Sequence, residues 1–258
     1  MKDVHRAAAI GFDKAADAYE RARPGYPDEA VDWLVEQLRA GDGVVVDLGA
    51  GTGKMTRALV ARGLDVVAVE PVGGMRAKLV EALPSVRALD GTAEVMPLAD
   101  GEAAAVVVAQ AFHWFKHTEA LEEIHRVLRR AGRLGIVWNV RDERVDWVAQ
   151  ITEIIRPYEG EGGVEIPRFR HGKWRRALAE TDLFKHVAEE TMEYAEPMTV
   201  ERLVDRVDST SFIAALPVEE RAQVDEQVRA LARDHPDLTG KDAFDFPYVT
   251  EIYVYEAV

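Results

Sequence analysis

A chain of 258 residues with 46 acidic and 32 basic side chains carries a net charge of −14, which argues against a nucleic-acid binder, since phosphate neutralisation needs a basic face. Hydrophobic residues are 48% and charged residues 30%, the balance of a globular protein. There is no apolar run long enough for a transmembrane helix and no apolar signal core at the start; cysteine is absent, which excludes disulfides and thiolate chemistry. A cytoplasmic protein is expected, with no membrane partner and no nucleic-acid partner.

In chain order, Val4 to Glu20 reads as a helix with Phe12, Ala15, Ala16 and Tyr19 on related faces. The loop RARPGYP follows, where Pro24, Gly25 and Pro27 forbid helix. Asp28 to Arg39 is an amphipathic helix through Val31, Leu34, Val35 and Leu38. Gly41 to Gly43 then turns into VVVDLGAGTGKMT, Val44 to Thr56. This stretch is a strand, a glycine turn at Gly49, Gly51 and Gly53, and a helix over Lys54 to Arg62, the opening unit of a nucleotide-binding α/β fold. Glycines let the backbone turn sharply and approach a ligand without a Cβ in the way. The spacing is not that of a dinucleotide fingerprint, because Lys54 holds the place of the last required glycine.

The second strand, Leu64 to Glu70, ends on an acid placed to accept hydrogen bonds from ribose hydroxyls. The next helix turns Met75, Leu79 and Leu83 inward. Val86 to Leu89 is a short third strand, followed by DGTAEVMPLAD, where Glu94 reads as structural. Ala103 to Ala109 is apolar throughout, as a central strand covered on both faces should be. It runs into QAFHWF, so Gln110, His113 and Trp114 fall at a strand C-terminus, where open α/β sheets bind ligands. His113 and His117 stand four apart, a spacing that suits a metal on a helix, but no third ligand is evident and no metal is expected.

Thr118 to Arg130 reads as a helix closed by Ala131 and Gly132, with Arg133 to Val140 as strand five. Simple alternation stops after Asn139. A helix over Val145 to Arg156, a Pro- and Gly-rich loop, a helix over Gly172 to Thr181, a sixth strand over Val187 to Ala195 and helices from Thr199 to Arg233 broken at Pro217 follow. Phe246 to Glu256 alternates as the last strand. The run Arg168, Arg170, His171, Lys173, Arg175, Arg176 is the one basic cluster, and it reads as a solvated helix start.

The motif D-x-G-x-G-x-G from Asp47 to Gly53 resembles motif I of the class I S-adenosylmethionine-dependent methyltransferases. The segment F-x-x-x-A-x-x-Y-x-x-x-R-P-x-Y-P, Phe12 to Pro27, together with HWF at 113–115, resembles small-molecule methyltransferases of the trans-aconitate and ubiquinone-biosynthesis type. The resemblance implies a Rossmann-like fold: a mostly parallel seven-stranded sheet with an antiparallel last strand, helices on both faces, and a helical cap from insertions after strands five and six. It implies one domain over 1–258, with an N-terminal lid (1–40), a cofactor-binding core (41–140), cap insertions (141–170 and 198–240) and the last strand (246–258).

It also implies S-adenosyl-L-methionine as cofactor, with S-adenosyl-L-homocysteine as product. Tyr19, Arg23, Asp47, Gly49, Ala50, Gly51, Gly53, Glu70, Pro71, Thr92, Ala93 and Gln110 are the expected cofactor residues. Related enzymes often carry Asp where this chain has Thr92, a departure that leaves the N–H of Ala93 to meet the adenine. Tyr26, His113 and Trp114 are expected at the acceptor, with His113 the candidate base. A small-molecule substrate and a monomer or homodimer are expected. Two alternatives stay open: a methyltransferase acting on RNA or protein, and a non-catalytic S-adenosylmethionine-binding protein.

Overall fold

A computed structural model describes residues 23–159 and 172–258. The helix expected over Val4 to Glu20, Tyr19 and the basic residues 168–171 lie outside them.

Seven strands form one sheet in the order β3-β2-β1-β4-β5-β7-β6. They are β1 (Val44–Leu48), β2 (Val66–Val69), β3 (Arg87–Leu89), β4 (Ala103–Ala109), β5 (Leu128–Arg141), β6 (Phe184–Met198) and β7 (Phe244–Ala257). The pairs β1–β2, β1–β4, β2–β3 and β4–β5 are parallel; the last strand is antiparallel. The apolar run 103–108 is buried on both faces, as expected of a strand between β1 and β5. Among the described residues no helix is long and apolar enough to cross a membrane.

The chain divides into two compact units. The sheet unit holds Gly25–Asn139, 172–192 and Thr250–Val258. Its helices are α1 (Asp28–Leu38), α2 (Lys54–Val60), α3 (Gly73–Ala82), α4 (His117–Val127) and α6 (Lys173–Glu180), with α5 (Asp146–Ile155) falling in the other unit. Helix α1 buries Ala30, Val31, Leu34 and Leu38, a stripe at helical spacing. Gly135 on β5 admits it: a Cβ there would stand 2.7 Å from Leu34 Cδ1.

The helical unit holds 23–24, 140–159 and Glu193–Val249. Besides α5 it contains α7 (Val200–Asp208), α8 (Ser211–Ala214) and α9 (Val218–Asp234). Trp147, Ile151, Leu203, Val207, Val224, Val228, Phe246 and Tyr248 belong to its own apolar core. Each fully buried aliphatic or aromatic side chain of this kind contributes about 1.5–3 kcal/mol.

Several element boundaries differ from expectation, most of all at α4, β5, β6 and β7. Helix α4 ends at Val127, and Ala131–Gly132 is not its cap. Leu128 already pairs with Ala103, whereas Arg133 pairs with Ala105, so the extra residues form a bulge within β5. Ala131 (φ 57°) makes the bend there. Strands β6 and β7 begin earlier and end later than alternation alone indicates, running over Phe184–Met198 and Phe244–Ala257.

Candidate active site

The site is built where β1, β2 and β4 end, all within the sheet unit. The three glycines of the turn have left-handed backbone and three different surroundings. A Cβ on Gly49 (φ +72°) would lie 2.7 Å from the Cβ of Ala111, so this glycine lets the β4 loop rest on the turn. On Gly53 (φ +90°) it would lie 2.9 Å from Leu79 Cγ, so this one seats α2 against α3. On Gly51 (φ +58°) it would meet only Met75 Sδ at 3.9 Å. Gly51 is therefore the glycine whose face is open for a ligand.

Two acids frame the turn. Asp47 is fully buried, and its Oδ2 accepts the Thr56 hydroxyl at 2.6 Å. Thr56 sits in the first turn of α2, so the carboxyl ties the end of β1 to a helix N-terminus. Burial drives the Asp47 carboxyl up to about 7, against the bonds from Thr56, while Glu70 raises it further. Glu70 is 5% exposed. Its Oε2 accepts the Gly51 N–H and its Oε1 the Val72 N–H, both at 2.8 Å. Burial raises the Glu70 carboxyl above its ordinary range, opposed by the Val72 and Gly51 N–H groups and by the Arg76 charge. The acid thus holds the glycine turn in shape. With about four acceptor positions and two in use, it keeps room for hydroxyl donors.

Pro71 is exposed beside it. Ala50 donates to the Val69 carbonyl at 3.2 Å. Thr92 exchanges two backbone bonds with Val95 (3.1 and 3.2 Å), which leaves its side chain exposed and buries Ala93. Glu94 accepts the Lys116 N–H at 2.9 Å, a structural role that links this turn to the start of α4.

At the end of β4, Gln110 has φ 62°, an unusual value for a residue with a side chain. Its N–H bonds the Val137 carbonyl at 2.9 Å, and its Nε2 reaches the Asn139 carbonyl at 3.4 Å. Strained backbone of this kind costs of order 1–3 kcal/mol and clusters at functional sites. A short 3₁₀ turn, Phe112–Trp114, follows. Phe112 is fully buried, while His113 and Trp114 are half-buried.

Aromatic rings hold this turn. His113 packs on Trp114 (centroids 5.0 Å apart) and on Trp138 (5.2 Å), and Trp138 packs on Trp174 (5.8 Å). Trp138 and Trp174 are each 1% exposed. His117 stacks on Phe112 at 5.4 Å, and burial lowers its pKa.

Asn139, Trp138 and Trp174 were not reached from the sequence. Asn139 Nδ2 donates to the Gly25 carbonyl at 2.7 Å, and its Oδ1 accepts the Thr250 hydroxyl at 2.8 Å. It therefore fixes the loop that carries Tyr26, which is half-buried against the sheet-unit core. The break of strand alternation at Asn139 was the available signal. Arg23 belongs to the helical unit, where its Nη2 donates to the Ser209 carbonyl at 3.1 Å. Of the basic cluster, Arg175 is not merely solvated: it pairs with Glu251 at 3.2 Å and lies over the Tyr253 ring at 4.6 Å.

A sheet with this strand order, carrying a glycine turn under an acid at the end of β2, defines a Rossmann-like methyltransferase fold. A methyltransferase-domain family model matches residues 46–136. An uncharacterized methyltransferase of Mycobacterium tuberculosis (strain ATCC 25618 / H37Rv) is 44% identical over 250 residues, 97% of each chain. An uncharacterized methyltransferase-like protein of Schizosaccharomyces pombe is 34% identical over 234 residues, 90% of each. Among solved structures, one assigned as a type II methyltransferase from Anaeromyxobacter dehalogenans aligns with a TM-score of 0.64 at 21% identity, over 91% of this chain and 97% of that one. The chain belongs to the class I S-adenosylmethionine-dependent methyltransferases, and S-adenosylmethionine is its cofactor. The residues present fit that group: Gly51 is open, Glu70 retains acceptor capacity and Thr92 is exposed beside the site.

Proposed function

We propose that the enzyme methylates a small-molecule acceptor at the ends of β1, β2 and β4, with Gly51 as the point of closest backbone approach to the cofactor. The open face of Gly51 carries this reading, since every other glycine of the turn is filled by a neighbouring side chain. Glu70 orients the ribose through its unused acceptor positions, and the Ala93 N–H meets the adenine ring. Ala50, Pro71 and Gln110 line the remainder of the cofactor site. Asp47 acts one step back, by holding Thr56 and with it the first turn of α2.

The cofactor supplies a methyl group with its leaving group already attached, so the chain's task is positioning and exclusion of water. Orientation alone contributes roughly 7–11 kcal/mol to such a reaction. His113 and Trp114 face the acceptor, with Tyr26 alongside. His113 takes a proton from an acceptor that must lose one, and its ring is held for this by Trp138. The net charge of −14 supports a small molecule over a nucleic acid. A geranyl diphosphate C-methyltransferase of Streptomyces coelicolor A3(2), whose structure holds geranyl diphosphate and S-adenosyl-L-homocysteine, aligns with a TM-score of 0.50 at 16% identity over 89% of this chain and 77% of that one. That likeness is one of fold and does not name the acceptor here.

The test is formation of S-adenosylhomocysteine from labelled cofactor across a metabolite panel. Turnover with a small molecule is expected. Turnover only with RNA or protein fractions would overturn the proposal.

A further inference from the structure

Two arginines are buried among the described residues, and they are treated differently. Arg133 in the sheet unit is 5% exposed and pairs with Glu256 at 2.7 Å. Arg206, on α7 of the helical unit, is 6% exposed and forms no ion pair among the described residues. Its hydrogen-bond partners are both neutral: Nε donates to the Tyr248 hydroxyl at 3.0 Å, and Nη1 reaches Ser209 Oγ at 3.5 Å. The Tyr248 ring lies 6.0 Å from the guanidinium, at the edge of cation–π range, a contact too weak to replace a counter-charge. Five N–H donors are available and two are used.

More donors gather at the same turn. Arg23 Nη2 donates to the carbonyl of Ser209, so two guanidinium groups converge on one serine. The Ser209 hydroxyl is turned back to the Arg206 carbonyl at 2.8 Å. Thr210 Oγ1, next in the chain, is buried with no hydrogen-bond partner. The nearby acids do not offset this charge. Asp208 faces Arg221 at 3.9 Å, and the neighbouring Asp225 raises its carboxyl pKa. A buried guanidinium whose partners are all neutral is unfavourable, and the unpartnered Thr210 hydroxyl beside it adds a second unmet group. A ligand oxyanion resolves both.

We propose that the turn after α7, built from Arg206, Ser209, Thr210 and Arg23, binds the oxyanion of a small organic acid or phosphate ester. The planar guanidinium fork suits carboxylate and phosphate alike. The site lies within the helical unit and does not depend on how the glycine turn is used.

The test is thermal unfolding of the full chain at constant ionic strength with acetate, succinate or inorganic phosphate as probe. A saturable rise is expected, roughly 3–6 °C at about ten times the dissociation constant. Succinate and acetate acting alone assign a carboxylate; phosphate acting alone assigns a phosphate ester. Arg206→Gln should lose the saturable rise. Arg206→Met should unfold no lower than wild type in probe-free buffer, because replacing an unbalanced buried charge by apolar volume is neutral or stabilising. A rise that persists in Arg206→Gln, or an Arg206→Met variant that is strongly destabilised and still responds, makes Arg206 a packing residue and overturns the site.

A readout without variants is the arginine Nε–H spectrum of ¹⁵N-labelled wild type. The Nε–H held by Tyr248 should shift saturably with probe, and an unmoved signal would refute the proposal. Titration of S-adenosylhomocysteine separates this from the cofactor reading. Weaker binding in Arg206→Gln would give Arg206 to the cofactor and remove the anion site. Failure of wild type to bind S-adenosylhomocysteine would remove the methyltransfer reading and leave the anion result standing.

Discussion

The sheet unit and the helical unit both bury polar groups, and they assemble them in opposite ways. In the sheet unit, Gly49, Gly51, Gly53 and Asp47 come from one short stretch, and Glu70 lies 19 residues from the Gly51 N–H it accepts. In the helical unit, Arg206 reaches Tyr248 across 42 residues and Arg23 reaches Ser209 across 186. The first arrangement is fixed by backbone geometry and survives only particular residues at particular spacings. The second is fixed by packing, and its members are ordinary surface types that happen to be buried. The glycine turn and its acid are thus written locally, whereas the polar cluster around Arg206 is distributed along the chain.

The sharpest way to break the local arrangement is to separate its glycines. Gly53→Val drives a branched side chain toward Leu79, at a backbone conformation that β-branched residues avoid. Overpacking and left-handed strain together should cost about 3–5 kcal/mol, read by urea unfolding. Gly51→Ala meets no close neighbour and should cost about 1–2 kcal/mol from backbone strain alone. Its effect should appear instead as at least a tenfold (about 1.4 kcal/mol) loss of S-adenosylhomocysteine affinity by calorimetry. If Gly51→Ala binds as well as wild type, the open face of Gly51 is not the ligand face.

The second prediction compares a buried acid from each unit. Asp47 and Asp208 are both raised to about 7, in each case chiefly by burial. Thr56 opposes the rise at Asp47; Asp225 adds to it at Asp208. A carboxyl raised in the folded state favours folding fully below its unfolded value near 3.8. That contribution is lost as pH climbs toward 7, because the unfolded chain ionises first. For the fully buried Asp47 the loss should reach roughly 3–4 kcal/mol. The stability advantage of wild type over Asp47→Asn should therefore shrink between pH 4 and 7 and level off above. Asp208 is less completely buried, with 26% of its side chain exposed, and should show the same sign with a smaller slope. A constant difference across that range would mean Asp47 ionises in the fold as it does in the open chain.

Legibility from the sequence followed the same division. The glycine turn, Glu70 and the β4 run could be read because strand period, turn chemistry and apolar length agree there. Gln110 and His113 followed from their place at a strand end. The bulge at Ala131–Gly132 reads in the sequence as a helix cap, since a small residue before glycine serves both and only the pairing of Leu128 with Ala103 distinguishes them. Trp138 and Trp174 stayed hidden because a tryptophan in a strand or helix carries no local mark of which ring it will meet. Arg206 reads as the polar face of an amphipathic helix until Tyr248 and Ser209 are brought to it.

The smallest effect tests whether a distributed contact in the sheet unit behaves as one coupled group. Asn139 holds the Gly25 carbonyl and the Thr250 hydroxyl, and Thr250 is fully buried. Asn139→Ala leaves that hydroxyl without its acceptor, a loss of about 1–3 kcal/mol. Thr250→Val removes the stranded hydroxyl at nearly constant shape, and exchanging both partners for apolar groups can be close to neutral. The double variant should therefore be more stable than Asn139→Ala alone, by roughly 0.5–2 kcal/mol in a double-mutant cycle. The Gly25 carbonyl loses the Asn139 amide in Asn139→Ala and in the double variant alike, so the double should still fall short of wild type. Additive losses would mean that the Thr250 hydroxyl finds another acceptor and that Asn139 acts on the Tyr26 loop alone.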